Sequence, residues 1–208
     1  NQGKQSTYYT RDRLLEIFLK VCDAVAFAHS KGVFHLDIKP DNIQVDQFGS
    51  VLLCDWGLAR QNNIELDQKP SSEDLSGAKL DKTHSDGLLK GTPGFMSPEQ
   101  LQADQAAISE RSDIYALGAT LYNILTLRAP IQSNNIELIR SKTLKGEITA
   151  AHELQLSTPV PSALSAVTSK AMAIKDEDRY QSAEKLAEDI RNYQQGFATR
   201  AQDAGFLT

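Results

Sequence analysis

The sequence predicts a mainly α fold carrying one small β-hairpin. Apolar residues recur with helical period in five separate stretches. One pair of β-type runs, NIQVD and SVLLCD, is joined by Gln47-Phe48-Gly49, which is a hairpin signal. No internal repeat divides the chain, so the hairpin sits inside one helical body.

Residues 1–9 are polar and predict a frayed start. Residues 10–32 read as one amphipathic helix, with Leu14, Leu15, Phe18, Val21, Cys22, Val25 and Ala28 on one stripe. Thr10 is its expected N-cap and Gly32 its C-terminal stop. The hairpin follows. Residues 61–90 have few large apolar side chains and no lasting period, which predicts a mobile insertion. SDIYALGATLYNILTL, residues 112–127, is apolar on all sides and predicts a central buried helix. Weaker helices are expected near 135–145, 162–174 and 182–194, punctuated by Pro159, Pro161 and the DEDR turn.

The chain has 208 residues, 40% of them hydrophobic, enough for one domain or a large piece of one. A net charge of -5 argues against nucleic-acid binding, which calls for a basic stripe. No apolar run approaches the ~20 residues needed to span a bilayer. Cys22 and Cys54 lie in apolar stretches and read as free thiols in a reducing compartment, hence a cytoplasmic location, although a larger parent could be membrane-anchored. The chain starts at Asn1 rather than Met and reads as a piece of something longer.

VFHLDIKPDNIQV, residues 33–45, sets Asp37, Lys39 and Asn42 between apolar runs. Polar groups beside a core are costly unless satisfied or facing a cleft. Transfer of a phosphoryl group to a hydroxyl needs such a set. An acceptor orients the attacking O–H, a cation follows the moving charge, and oxygen ligands hold magnesium. Asp37, Lys39 and Asn42 can supply these in turn. Thirteen residues after Asn42 (55 − 42) comes Asp55-Trp56-Gly57, at the end of the hairpin that returns the chain to its start. Asp55 can thus face Asn42 across a metal-sized gap, with Gly57 freeing the backbone to turn.

HLDIKPDN, DWG, GTPGFMSPE and SDIYALG, in this order over about residues 10–195, resemble the C-terminal lobe of a eukaryotic-like serine/threonine protein kinase of the kind common in bacteria. The resemblance implies a helical lobe with a small hairpin, half of a two-lobed α+β parent that uses ATP and Mg²⁺ on Ser/Thr hydroxyls of protein substrates. Asp37 would be the catalytic aspartate and Lys39 would neutralise the transferred phosphoryl. Asn42 and Asp55 would hold the metal. Thr92 would bond the catalytic Asp and Lys and favour a Ser/Thr acceptor over Tyr. Lys39, Asn42, Gln44, Cys54 and Asp55 would line the nucleotide site. His35 and Trp56 would form a stack reaching the central helix at Asp113, which anchors the catalytic loop. Glu99 would pair with Arg179. His35 reads as a packed structural histidine and Cys54 as a wall of the cleft.

The chain departs from the family pattern at several places. Leu36 stands where most members carry the Arg that receives the activation-segment phosphate, which Leu cannot do. Trp56 replaces Phe, and Gln44 replaces an apolar residue beneath the adenine. Asp55 to Glu99 spans 45 residues (99 − 55 + 1), longer than usual by the polar insertion. The 208 residues contain no Gly-rich loop and no V-A-I-K-type strand lysine, so the N-terminal lobe is expected to be absent and the polypeptide inactive alone. The missing lobe would be its natural partner, and the bared apolar surface around Val45, Cys54 and Trp56 would favour self-association. A pseudokinase-type scaffold is the alternative reading.

Overall fold

The computed structural model describes residues 10–61 and 92–203. The expected insertion therefore falls outside the described residues except for Gln61. Helix α1, Arg11–Ser30, begins at Thr10, whose hydroxyl accepts the Arg13 N–H at 3.3 Å. It ends where Gly32 takes a left-handed φ of 67°. Its stripe of Leu15, Phe18, Val21, Cys22 and Val25 is buried. Both cysteines are free, and burial pushes the Cys22 thiol far up, which leaves it inert.

Strands β1 (Val33–Phe34), β2 (Ile43–Val45), β3 (Val51–Leu53) and β4 (Arg60–Gln61) form two antiparallel pairs. The β2–β3 pair is the predicted hairpin, with Ile43 opposite Leu53 and Val45 opposite Val51. Asp46 closes its turn by accepting the Phe48 and Ser50 N–H groups at 2.8 Å each. Gly49 adopts φ 84° there, and Lys20 on α1 donates to its carbonyl at 2.7 Å. The β1–β4 pair was not expected from sequence, since two residues per strand leave no period to read.

After α2 (Pro98–Leu101), the central helix α3 (Glu110–Thr126) is buried on nearly every side. Leu127, left-handed at φ 57°, ends it one residue before the expected boundary. Helices α4 (Ile136–Lys145), α5 (Ser162–Ala171), α6 (Ala183–Gln194) and α7 (Arg200–Asp203) complete the body. α1 packs on α6 and α3, and α3 packs on α5, around one core that includes Phe18, Leu117, Leu121, Leu164 and Leu186. α5 stops three residues short of the expected 174. The Ala173 N–H bonds the Lys170 carbonyl at 3.3 Å, an i−3 contact that closes the helix, and the Ala173 and Ile174 carbonyls beyond it accept from Arg179 at 2.8 and 3.1 Å. Asp189, fully buried, holds α7 to α6 by accepting the Arg200 and Ala201 N–H groups and the Tyr180 hydroxyl.

The α3–α5 crossing depends on Gly118. A Cβ there would lie 2.6 Å from Ala171 Cβ and 3.2 Å from the Ala171 backbone. Gly118→Ala gains about 1 kcal/mol of helix propensity but overpacks a backbone contact, which typically costs ~1–3 kcal/mol. Urea denaturation should show a net loss of stability, and a neutral or stabilising result would contradict this packing.

Candidate active site

Asp113 of α3 is fully buried and accepts two hydrogen bonds from the loop after β1, His35 N–H at 2.7 Å and Leu36 N–H at 2.8 Å, and a third from His29 Nε2 of α1 at 2.8 Å. The core helix thereby sets the backbone two residues before Asp37. Gln100 Nε2 donates to the Leu36 carbonyl at 2.9 Å while Gln100 Oε1 caps Ser97. His29 and Gln100 were missed from sequence. His29 lay four residues beyond Val25, next to the apolar stripe, and Gln100 closed a Ser-x-x-Gln capping box, so both signals existed.

Leu36 occupies the left-handed region at φ 65° with its side chain buried. An aliphatic residue held there costs roughly 1–2 kcal/mol, and the Asp113 and Gln100 hydrogen bonds hold it.

His35 is 1% exposed, and its ring lies 4.4 Å from the Trp56 ring, the stack expected from sequence. Its Nδ1 accepts the Asp37 N–H at 3.3 Å, so Nε2 carries the proton and donates to the Cys54 carbonyl at 3.0 Å. One imidazole thus ties the loop holding Asp37 to the strand end leading into Asp55. The Cys54 N–H donates to the Asn42 carbonyl at 2.8 Å, which brings Asp55 alongside Asn42 through the backbone.

Asp37 Oδ2 receives Lys39 Nζ at 2.8 Å and Asn42 Nδ2 at 3.0 Å. Lys39 Nζ also donates to Thr92 Oγ1 at 2.9 Å. Thr92 was expected to bond both Asp37 and Lys39; among the described residues it bonds Lys39, and reaches Asp37 through that ammonium. Asn42 is buried and anchored by a second bond to the Asp37 carbonyl at 2.8 Å. Among the described residues, Asp37 Oδ1 and Asn42 Oδ1 have no hydrogen-bond donor.

Asp55 is exposed and left-handed at φ 61°, and its Oδ1 receives only a long 3.4 Å contact from Gly57 N–H. The expectation that Gly57 takes the special turn conformation is corrected: Asp55 takes it. Gly57 instead leaves room for that carboxylate, because a Cβ would stand 3.2 Å from Asp55 Oδ1. Gln44 is exposed opposite Leu52, and the half-buried Cys54 contributes backbone bonds while its thiol stays free. Val45 and Leu52 on the hairpin, Phe48 in its turn and Trp56 just past β3 are exposed.

Farther from the loop, Arg179 forks onto Glu99 at 2.8 and 2.9 Å, as expected from sequence, with both side chains buried. Its remaining N–H groups reach the Ala173, Arg111 and Ile174 carbonyls, and Ser112 Oγ donates to Glu99 Oε1 at 2.7 Å. Burial alone would raise the Glu99 pKa. The Arg179 hydrogen bonds and charge, with the Ser112 hydroxyl, outweigh it and hold the carboxyl below its ordinary value of 4.5.

A free carboxylate oxygen, an adjacent ammonium and a free amide oxygen, with a second carboxylate one residue past the Asn42 backbone partner, can orient a hydroxyl, balance anionic charge and offer hard oxygen ligands. A family model described as protein kinase domain matches residues 2–190. The chain is 38% identical over 192 residues to serine/threonine-protein kinase PknD of Protochlamydia amoebophila (strain UWE25), covering 88% of this chain and 18% of that protein. It is 36% identical over 183 residues to the PknD of Chlamydia caviae, covering 88% of this chain and 19% of that protein. With the PknD of Chlamydia trachomatis serovar D it shares 36% over 188 residues, 88% of this chain and 20% of that protein. The chain spans about a fifth of the length of the curated relatives it matches. With the kinase-domain match running from residue 2 to residue 190 and these relatives at 36–38% identity, the chain belongs to the protein kinase family, in its bacterial serine/threonine type.

Proposed function

We propose that this chain supplies the catalytic loop, metal ligands and substrate shelf of a kinase that transfers the γ-phosphoryl of ATP to Ser/Thr hydroxyls of proteins. The observation that carries the reading is the Lys39 ammonium held between Asp37 Oδ2 and Thr92 Oγ1. It places a cation between the loop that would orient the hydroxyl and the segment that would carry the acceptor. Asp37 Oδ1 accepts the acceptor O–H and turns its oxygen toward the phosphoryl. Lys39 balances the charge that develops on the moving group. Thr92 Oγ1 positions Lys39.

Asn42 Oδ1 and Asp55 would hold Mg²⁺, which supplies neutralisation of phosphate charge when bound. Two hard oxygens suit an ion that keeps waters and shares substrate phosphates. Among the described residues no group of three or more His, Cys, Asp or Glu forms a closed metal cage. The exposed hairpin end, with Trp56 40% and Val45 44% accessible, is the surface on which a nucleotide-covering lobe would sit. No helix among the described residues is long and apolar enough to cross a membrane.

The test is a phosphoryl-transfer assay on the complete kinase and on these 208 residues alone. The complete kinase should phosphorylate Ser/Thr with ATP only when Mg²⁺ is present, and the 208 residues should show no turnover. Transfer that survives chelation of Mg²⁺ would refute the assignment, and turnover by the short polypeptide would refute its expected dependence on a second lobe.

A further inference from the structure

A cavity of about 190 Å³ opens where α3 gives way to the segment before α4, lined by Tyr122, Arg128, Ala129, Ile131, Lys142 and Glu147 among others. It adjoins the shelf that follows Thr92: a Cβ on Gly94 would lie 3.6 Å from Ala129 Cβ and 3.8 Å from the Ile131 carbonyl. Arg128 and Lys142 have no carboxylate within ion-pair distance among the described residues, whereas Glu147 lies 3.9 Å from Lys145. In a chain of net charge -5, a pocket bearing two such cations beside the substrate shelf is a local reversal of sign. Clefts of this kind concentrate ligands of opposite charge.

The position of Arg128 is built rather than incidental. Leu127 turns the chain at φ 57°, and the buried Thr126 hydroxyl accepts the Arg128 N–H at 3.2 Å while lying 3.1 Å from the Arg128 carbonyl. Tyr122 closes one wall by donating to the Thr149 carbonyl at 3.0 Å. A water's share of the liquid is about 30 Å³, so the cavity holds one side-chain head with several waters.

We propose that this cavity is a substrate subsite that takes an acidic side chain (Asp, Glu or a phosphorylated residue) of the protein being phosphorylated, bound by Arg128 and Lys142. The proposal rests on the kinase reading above. It is tested on the complete kinase with peptides holding one acceptor threonine, in which Asp replaces Ala at each neighbouring position in turn. At one position Asp should raise kcat/KM about tenfold over Ala, the scale of a charge-assisted hydrogen bond. In the double variant Arg128→Gln, Lys142→Gln this acidic-to-neutral ratio should fall to near one, and Arg128→Glu should make Lys the preferred residue there. A wild-type ratio near one at every position, or a ratio unmoved in the double variant, overturns the subsite. Peptide binding by fluorescence anisotropy gives the same ratio without turnover. If no peptide is phosphorylated yet binding still favours Asp through Arg128 and Lys142, the subsite stands and the transfer reading fails. If binding does not discriminate either, the subsite fails as well.

Discussion

Asp37→Asn in the complete kinase should lower kcat by about 10²–10⁴-fold, the range for loss of a general acid–base group. The change is nearly isosteric, so the loss comes from polarity. Asp37 Oδ2 already receives Lys39 and Asn42, and Oδ1 is open. An asparagine that keeps its oxygen toward those two donors turns an NH₂ group toward the incoming hydroxyl. An asparagine flipped the other way sets NH₂ against an ammonium and an amide N–H. Neither arrangement offers a free acceptor to the substrate while keeping Lys39 in place. kcat and kcat/KM should therefore fall together, the pattern for an interaction made in the transition state. Steady-state kinetics with circular dichroism as a folding control decide it. A variant retaining more than a tenth of wild-type kcat would remove Asp37 from the mechanism.

Arg179→Ala should destabilise the kinase domain by ~3–5 kcal/mol, the cost of stranding one member of a buried ion pair. Glu99 would keep only the Ser112 hydroxyl, and the Ala173, Arg111 and Ile174 carbonyls would lose their donors. Replacing Glu99 and Arg179 together by leucine should cost less than Arg179→Ala, because no buried charge is left behind. The pair also has a pH signature. The folded-state pKa of Glu99 lies below the ordinary 4.5, so its contribution is complete above that value and lost as pH falls through the folded pKa. Urea titrations at neutral pH and below pH 4.5 should show wild type losing this increment and the double-leucine protein lacking it. A single variant within 1 kcal/mol of wild type would show that the fork contributes little.

Legibility in the sequence followed the length of each signal. α1, α3, α4 and α6 and the β2–β3 hairpin were readable because the period extends over enough residues, with Thr10 the N-cap expected for α1; Asn135 and Ser182, expected as first helical residues, are the N-caps of α4 and α6. The two-residue β1–β4 pair was not, and no glycine or proline in Met172-Ala173-Ile174 marks the end of α5 at Ala171. In the candidate site, Asp37, Lys39 and Asn42 were named from their chemistry and spacing and Thr92 from the family resemblance, and the structure joins the four by hydrogen bonds. What spacing could not convey was which backbone absorbs the turn at Asp55, or that His29 would find Asp113 and Gln100 the Leu36 carbonyl. Those depend on tertiary approach, which one-dimensional spacing does not encode.

Because the Asp113 carboxylate clasps the His35 and Leu36 amides from inside α3, the loop that carries Asp37 inherits its coordinates from the core. Drift in the packing beneath α3 is then passed upward as displacement of Asp37, with no residue of the cleft altered. Selection on interior volume in this domain is also selection on aim.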